Sequence, residues 1–334
     1  MALTSDRQQF LIESFRDPLH PTTLCTMGGA GFRFISATEI GYATSSSLNN
    51  PIEGTSVIMR MSLTDLKPLA VASVQGEVMD LAWSPDGSSV AYLAYTYAPG
   101  LGSGSANRLW IKTGTAPPRA LTPLIPLFGR GGSISDETIV RFSPDGKYLL
   151  MVDTFVSGGP PESPDLAAFK VRSVQDGSLL WAALSALHPT GKGQFATMAA
   201  WLHQADRIYY RDAAGVQTWD PPSTDGTIYP GLVWYSPSIS PDDRSVAYAV
   251  DLDAQPHVEV RELTTKQLRV IPGIRGAPFF VGANMLFVAE YAPSTQPGPG
   301  VQAYSPTGRA FVFDLRTNAE TPVQNVDPID FWPR

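Results

Sequence analysis

Short apolar runs alternate with tight polar turns along most of the chain, and no stretch keeps the periodicity of a helix. The clearest example is LAWSPDGSSVAYLA at 81–94, where two apolar runs flank the sequence SPDG. Proline presets φ for the first corner of a turn, aspartate can bond its own backbone, and glycine accepts a positive φ. The flanking residues are small, β-branched or aromatic, as paired strands prefer. This pattern predicts a β-hairpin.

The same hairpin recurs along the chain. FSPDGKYL at 142–149 is a second copy and ISPDDRSV at 239–246 is a third, while weaker copies keep only the spacing from an anchor residue to the following strand. The anchors lie 38 to 59 residues apart and are Phe34, Trp83, Phe142, Trp201, Ile239, Phe280 and Trp332. A repeat of this length built from short strands predicts an all-β fold, a β-propeller of four-stranded antiparallel blades.

The two ends of the chain look like parts of one more blade, if each blade has strands a to d and the hairpin supplies a and b. Residues 9–13 and 18–24 read as a c–d pair, and 330–333 read as an a strand. Together they predict a composite closing blade, from about 1–26 and 326–334, in which the terminal strands pair and close the ring. We therefore favour seven blades in a single domain spanning 1–334. Since the composite blade has no obvious b strand, six blades with a docked C-terminal strand are the alternative.

The SPDG copies at 84–87, 143–146 and 240–243, each following an apolar or aromatic residue, resemble the TolB-like, or PD40-type, propeller repeat. The resemblance implies a WD-like repeat scaffold that binds proteins or peptides, often outside the cytoplasm. TolB proteins also carry an N-terminal α/β domain, and no region of this chain fits one. The repeat residues build turns and cores, so they indicate the fold and not the function.

The composition indicates which classes of ligand the protein is not expected to bind. A net charge of −7 argues against nucleic acid or an anionic membrane surface as a ligand, because both attract basic surfaces. No run of 18 apolar residues is present, which predicts no membrane span. The start MALTSDRQQF lacks the pattern of a signal peptide, so an extracytoplasmic location rests on the resemblance alone. We expect a monomer.

Motifs for catalysis or cofactor binding are missing from the sequence. No G-x-S-x-G nucleophile elbow occurs, and the four histidines lie in different repeats without metal-binding spacing. The single Cys25 excludes an intramolecular disulfide and reads as a small buried apolar residue. The sequence thus predicts no catalytic residue, no metal and no cofactor, and favours a protein that is not an enzyme.

Several carboxylates fall near the predicted ends of equivalent strands. Asp80 is expected to open an a strand, whereas other carboxylates are expected to close b strands: Asp153, Asp212, Asp251 and Glu290. Such a set, near the mouth of the propeller channel, could attract a cation or a basic peptide. The alternative is that these side chains cap turns and stay solvated.

Long connections point to one elaborated face. The predicted b–c connections at 45–55, 97–106, 155–165 and 291–308, and the d–a connections at 122–135 and 186–196, leave the same end of the blades. They carry residue types that binding surfaces favour: Tyr97, Phe128, Arg130, Phe155, Tyr291 and Tyr304. The apolar run 124–128 within them is either a patch for a partner or a plug over its own blade.

These observations favour a non-enzymatic propeller that binds a protein, a peptide or a glycan on the b–c/d–a face. The proposed anchors are the six residues above, with Asp80, Asp153, Asp251 and Glu290 near the channel mouth. One alternative is a propeller hydrolase or lyase with a metal at the channel mouth. Another is an extracytoplasmic sensor or architectural module of a membrane-anchored protein.

Overall fold

The structure is a computed structural model that describes residues 2–3, 10–14, 22–27, 30–45, 54–97, 105–126, 134–156, 166–186, 199–212, 214–221, 226–251, 255–294, 304–323 and 327–328. These residues form β-strands and turns, with no helix among them. It follows that no described segment is an apolar helix of membrane-spanning length.

The strands are numbered in chain order. The first group comprises β1 (Ala2–Leu3), β2 (Phe10–Ser14), β3 (Thr22–Met27), β4 (Ala30–Ser36), β5 (Glu39–Ser45), β6 (Thr55–Ser62) and β7 (Pro68–Gln75). The second comprises β8 (Glu77–Trp83), β9 (Ser89–Tyr97), β10 (Ser105–Thr113), β11 (Arg119–Ala120), β12 (Ile125–Pro126), β13 (Ile134–Phe142), β14 (Tyr148–Val156), β15 (Leu166–Ser173) and β16 (Leu179–Ala186). The third comprises β17 (Ala199–Trp201), β18 (Ile208–Asp212), β19 (Gly215–Trp219), β20 (Gly226–Pro230), β21 (Tyr235–Ile239), β22 (Ser245–Val250), β23 (His257–Glu262), β24 (Leu268–Ile271), β25 (Arg275–Gly282), β26 (Met285–Pro293), β27 (Tyr304–Asp314), β28 (Glu320–Val323) and β29 (Asp327–Pro328).

The described strands form seven antiparallel sheets, the number of blades favoured from the sequence. Six have four strands, and in five of these the strands follow chain order as a meander from a to d. The seventh, β8 to β12, gains a fifth strand because β12 pairs with β10 beside β11. The chain divides into two compact units: residues 28–187 hold three sheets, and residues 1–27 with 188–334 hold the other four. That 1–334 form one domain stays a prediction.

The terminal strands pair in the predicted way, but from different residues. The composite sheet has the order β29–β1–β2–β3, with Ala2 opposite Pro328 and Leu3 opposite Asp327. The b strand that the sequence did not reveal is therefore β1, which at two residues is too short to show a pattern. The predicted a strand at 330–333 lies outside the described residues, and β29 takes its place.

The three SPDG turns are held by one arrangement of side-chain hydrogen bonds. The Ser84 hydroxyl donates to Asp86 Oδ1 at 2.6 Å and accepts the Ser89 amide at 2.9 Å. Hydrogen bonds from Ser84 and Ser88 hold the pKa of Asp86 below its ordinary value. The turns at 143–146 and 240–243 repeat the serine-to-aspartate bond at 2.8 and 2.6 Å.

The third copy has Asp243 where the other two have glycine, and its φ is +57°. A non-glycine residue in this region is strained. The Asp243 carboxylate accepts the backbone amides of His203 and Gln204 at 2.7 and 2.8 Å. These amides belong to the turn between β17 and β18. Asp243, which replaces the glycine of the repeat, therefore joins its own turn to a neighbouring one.

Apolar side chains from adjacent sheets form the cores within each unit. In one unit, Leu93 and Leu109 of the β8–β12 sheet pack with Met151 of the next sheet. In the other, Val246 and Tyr248 pack with Val216, and Phe280 packs with Val260. Strand β22 is buried along Val246 to Val250 because sheets cover both of its faces. Of the b-strand tyrosines predicted to be core, Tyr92, Tyr209 and Tyr248 are buried, and Tyr148 is half-buried.

Candidate functional site

Most predicted anchors lie in strands and not in loops. Tyr97 is the last residue of β9, and Phe155 lies one residue before the end of β14. Their side chains, and that of Asp153, lie outside what the structure describes, as do Phe128 and Arg130 altogether. Within the apolar run 124–128, Ile125 and Pro126 pair with β10 of their own sheet, which favours a plug over a patch. The b–c hairpin of β9 and β10 is longer than predicted because its two strands remain paired as far as Tyr97 and Ser105.

The carboxylates do not share one structural position. Asp80 is the fourth residue of β8 and not its first, beside a bulge, and it forms an ion pair with Arg33 at 3.1 Å. Asp153 and Glu290 lie inside β14 and β26, whereas Asp212 ends β18 as predicted. Asp251 follows β22, is 67% exposed and lies 3.9 Å from His257 Nδ1.

Strands β26 and β27 continue as a two-stranded ribbon past the other strands of their sheet. The last β25–β26 pair joins Arg275 to Glu290, but β26 and β27 remain paired to Pro293 and Tyr304. We call residues 290–293 and 304–309 the β26–β27 ribbon. Its residues 305–309 are exposed and Tyr304 is half-buried. The connection between the strands is therefore 294–303, shorter than the predicted 291–308.

Tyr291 and Tyr304 have different environments at the base and the tip of this ribbon. Tyr291 is 8% exposed. A Cβ on Gly276 would come within 2.6 Å of its ring, so the glycine makes room for it. Tyr304 is the first residue of β27 and opposes Pro293. Of these two predicted anchors, only Tyr304 is partly exposed to solvent, and Tyr291 is buried.

An alternating set of charges fixes the base of the ribbon. The guanidinium of Arg275, 10% exposed, lies 3.3 Å from Glu290 and 2.6 Å from Glu320, and stacks 4.2 Å from the centroid of Phe311. Glu290 also accepts the Thr307 hydroxyl at 2.9 Å and lies 3.3 Å from the exposed Arg309. Glu290 is thus a structural ion-pair partner, and its carboxylate is already bound by two arginines.

Replacing Arg275 with methionine tests this role. The change keeps the aliphatic bulk over Phe311 but leaves Glu320 without its 2.6 Å partner. We expect the free energy of unfolding in urea to fall by about 2 kcal/mol, less than for a fully buried pair, because both carboxylates are partly exposed. Arg309→Met is the matched control, with an expected loss below about 1 kcal/mol since Arg309 is 68% exposed. Equal losses for the two variants would contradict the assignment.

A second cluster lies on one face of the neighbouring sheet. The Tyr248 hydroxyl donates to Glu259 at 2.7 Å and accepts from Arg261 Nε at 3.0 Å. Burial, together with the bond to Glu259, raises the pKa of Tyr248. His257 Nε2 lies 3.7 Å from Glu259, which connects this buried cluster to the exposed Asp251.

A third cluster forms a row across the β8–β12 sheet, at the end where its b–c connection leaves. Tyr95 is directly opposite Glu77 on one side and Asn107 on the other, so the three side chains share one face. Asn107 is 3% exposed, and its Oδ1 has no hydrogen-bond partner in the structure as described. Burial raises the pKa of the Glu77 carboxyl.

Sequence reasoning overlooked these last two clusters for different reasons. His257, Glu259 and Arg261 alternate in β23, so a period-two pattern could have placed them on one face. The Glu77, Tyr95 and Asn107 row depends on the register of three strands, which no local pattern gives.

The described residues contain no cluster of side chains suited to bind a metal ion. No group of three or more His, Cys, Asp or Glu side chains there is close enough to hold an ion. The predicted site residues fall in both units, and three of them, Glu290, Tyr291 and Tyr304, lie on the β26–β27 ribbon.

Comparison with known proteins identifies the fold. No family model and no curated protein sequence matches the chain. Among solved structures, the propeller domain of the Trilobed protease from Pyrococcus furiosus matches with a TM-score of 0.55 at 9% identity, over 89% of this chain and 82% of that one. An acylaminoacyl peptidase from Pyrococcus horikoshii matches with a TM-score of 0.55 at 9% identity, over 89% of this chain and 46% of that one.

A structure from a study of two prolyl endopeptidases gives a TM-score of 0.57 at 16% identity, over 93% of this chain and 43% of that one. This chain therefore spans less than half the length of the two larger peptidases that it matches. Identities this low establish shared architecture and not shared activity. Together with the seven four- or five-stranded sheets, these matches show that the chain has the β-propeller fold predicted from its SPDG repeats.

Proposed function

We propose that this protein is a non-enzymatic β-propeller scaffold that binds a protein or peptide on the b–c/d–a end of its sheets. The observation that carries the proposal is the β26–β27 ribbon, whose exposed residues 305–309 extend beyond the sheet on a base fixed by ion pairs. The a–b turns at the opposite end of the sheets are short and closed by their own serine and aspartate side chains. Variable binding elements on a rigid framework are the usual arrangement of recognition sites.

The chemistry of the ribbon suits peptide recognition. A half-buried tyrosine and an exposed arginine, Tyr304 and Arg309, lie on one strand, and both are residue types enriched among interface hot spots. Arg309 stacks 5.5 Å from the Phe311 centroid while it pairs with Glu290, so its guanidinium is held in place before a partner arrives. Such pre-organisation lowers the entropy lost on binding.

Selection of randomised peptides displayed on phage tests the proposal. Peptides enriched on the wild-type protein should bind the double variant Tyr304→Ala/Arg309→Ala at least about tenfold more weakly, since truncated hot spots lose that much or more. The control is Lys147→Ala/Arg244→Ala, which removes two side chains that are 73% and 79% exposed on the SPDG turns. Failure to enrich any peptide, or equal loss in the control, would count against a binding site on the b–c face.

A further inference from the structure

The row formed by Glu77, Tyr95 and Asn107 has a fixed geometry. Its members lie on adjacent strands β8, β9 and β10 in direct register, so the two outer Cα atoms are roughly 10 Å apart. The aromatic ring of the central residue lies between a carboxyl group and an amide. All three side chains face the same side of the sheet, and all belong to the unit of residues 28–187.

The backbone at Glu77 is held firmly by its neighbours. Gly76 separates β7 from β8 with φ +93°, and its amide donates to Gly54 O at 2.8 Å. The Ser56 hydroxyl, 1% exposed, donates to Gly76 O at 3.0 Å and accepts the Val78 amide at 3.0 Å. These bonds bracket Glu77 on both sides, so its position does not depend on a ligand.

The row is rich in acceptors that lack donors. Within the described ranges no hydrogen bond or ion pair reaches the Glu77 carboxyl, and burial raises its pKa because no cation offsets the lost hydration. Asn107 Oδ1 is buried with no partner there. A buried carbonyl oxygen without a donor is unfavourable, and a donor on a bound ligand would remove that penalty.

We infer that the row is a subsite for a guanidinium group, the arginine side chain of a bound peptide. A guanidinium is planar and carries five donors, so it can meet acceptors at both of its edges while its face lies on the Tyr95 ring. A calcium ion needs six to eight oxygen ligands at about 2.3–2.6 Å, which two acceptors on strands two apart do not provide. A chain with a net charge of −7 also attracts a basic ligand.

This inference rests on the proposed peptide-binding function, but it can be tested without the ribbon. The probes are N-acetyl-arginine methylamide and its neutral analogue N-acetyl-citrulline methylamide, added to isotope-labelled protein at pH 7. The arginine probe should shift the side-chain amide resonances of Asn107, and the citrulline probe should bind at least about fivefold more weakly.

Glu77→Gln should weaken the arginine probe by about tenfold, because the charge-assisted hydrogen bond is lost while the shape is kept. The control is Asp65→Asn, which removes one negative charge from the exposed c–d turn of the neighbouring sheet. It should leave the dissociation constant of the probe within twofold of the wild-type value.

Stability separates a ligand-binding role from a structural one. Because the folded-state pKa of Glu77 is raised, its ionisation destabilises the fold as the pH rises through that pKa. Glu77→Gln should therefore unfold in urea at a midpoint no lower than the wild type at pH 7, and equal to it at pH 4. A midpoint that falls at pH 7 would make Glu77 a structural residue and overturn the inference.

The remaining outcomes are distinct. No shift at Asn107, or equal binding of the two probes, would overturn the guanidinium subsite whatever the phage selection gives. Undiminished affinity of the Glu77→Gln variant for the arginine probe would also overturn the guanidinium subsite. Enriched peptides that lack arginine, together with no probe binding, would leave the ribbon proposal standing and remove the subsite alone.

Discussion

Replacing Gly177 with alanine is expected to lower the free energy of unfolding by at least about 3 kcal/mol. Gly177 has φ +77° in the turn between β15 and β16, where a residue with a side chain is strained by about 1 kcal/mol. An added Cβ would also lie 1.8 Å from the backbone oxygen of Leu121 in the neighbouring sheet. Leu121 cannot withdraw easily, since it is 5% exposed and its amide donates to Leu109 O at 2.8 Å. Urea unfolding followed by tryptophan fluorescence measures the loss.

Gly114→Ala is the matched control for this substitution. Gly114 also has a positive φ, +48°, but a Cβ there meets no atom within 4 Å. Its expected loss is about 1 kcal/mol, from backbone strain alone. If the two variants lost equal stability, the close approach of the two sheets at Leu121 would not be the cause of the effect.

The contrast between these glycines shows what a sequence pattern can establish here. Both positions look like ordinary turn residues in the sequence, and only the packing of one sheet against the next distinguishes them. The SPDG repeat predicted the hairpins and the all-β fold because its turn depends on four adjacent residues. The contact between Gly177 and Leu121 joins residues more than fifty positions apart, and such a separation leaves no local pattern.

The ends of strands were the weakest part of the prediction. Tyr97, Phe155 and Tyr291 were placed in loops, but all three lie in strands that continue toward the b–c connection. In β26 and β27 the paired residues include Pro293 and Pro306, a residue type that usually ends a strand. Pairing between just two strands tolerates these residues since each ribbon strand has one open edge.

The same limitation applies to the candidate site. Residue type together with the predicted strand ends and connections led to Glu290 and Tyr304, and the structure places both on the β26–β27 ribbon. The sequence could not show that Glu290 is bound by two arginines. Nor could it show that Asn107 is buried without a hydrogen-bond partner for its Oδ1 in the structure as described. Both facts require the register of adjacent strands, which a hydrophobic pattern fixes only where one face is clearly apolar.

The core around the third SPDG hairpin contains a large side chain that the repeat pattern does not predict. The sequence pattern predicts Ile239 as the anchor of the third SPDG copy, because it directly precedes the turn. Trp234, in the connection before β21, is fully buried and fills much of the same core. Its ring packs against that of Tyr248 in a tilted arrangement, with a centroid distance of 5.4 Å and an angle of 54° between the rings. The repeat therefore uses a tryptophan from outside the hairpin where the hairpin itself has only isoleucine.

Trp234→Ala is accordingly expected to lower the free energy of unfolding by about 4 kcal/mol, in the range for removing a fully buried aromatic side chain. The loss of stability should be largest in the strands that contact Trp234. Tyr248 would lose its aromatic neighbour, and its hydroxyl holds Glu259 and Arg261 in the charged cluster on β23. Amide hydrogen exchange should therefore speed up more in β22 and β23 than in β26 and β27. Urea unfolding gives the free energy, and exchange followed by mass spectrometry gives its distribution.

Val233→Ala is the control, because Val233 precedes Trp234 in the same connection but is 44% exposed. Its expected effect lies within about 0.5 kcal/mol, as for other surface positions. A large loss for Val233→Ala would mean that the connection itself, and not the buried indole, sets the stability of this sheet. A loss below about 1 kcal/mol for Trp234→Ala would contradict the position of Trp234 in the core. The charged cluster would then be held by its own hydrogen bonds and not by the aromatic packing beneath Tyr248.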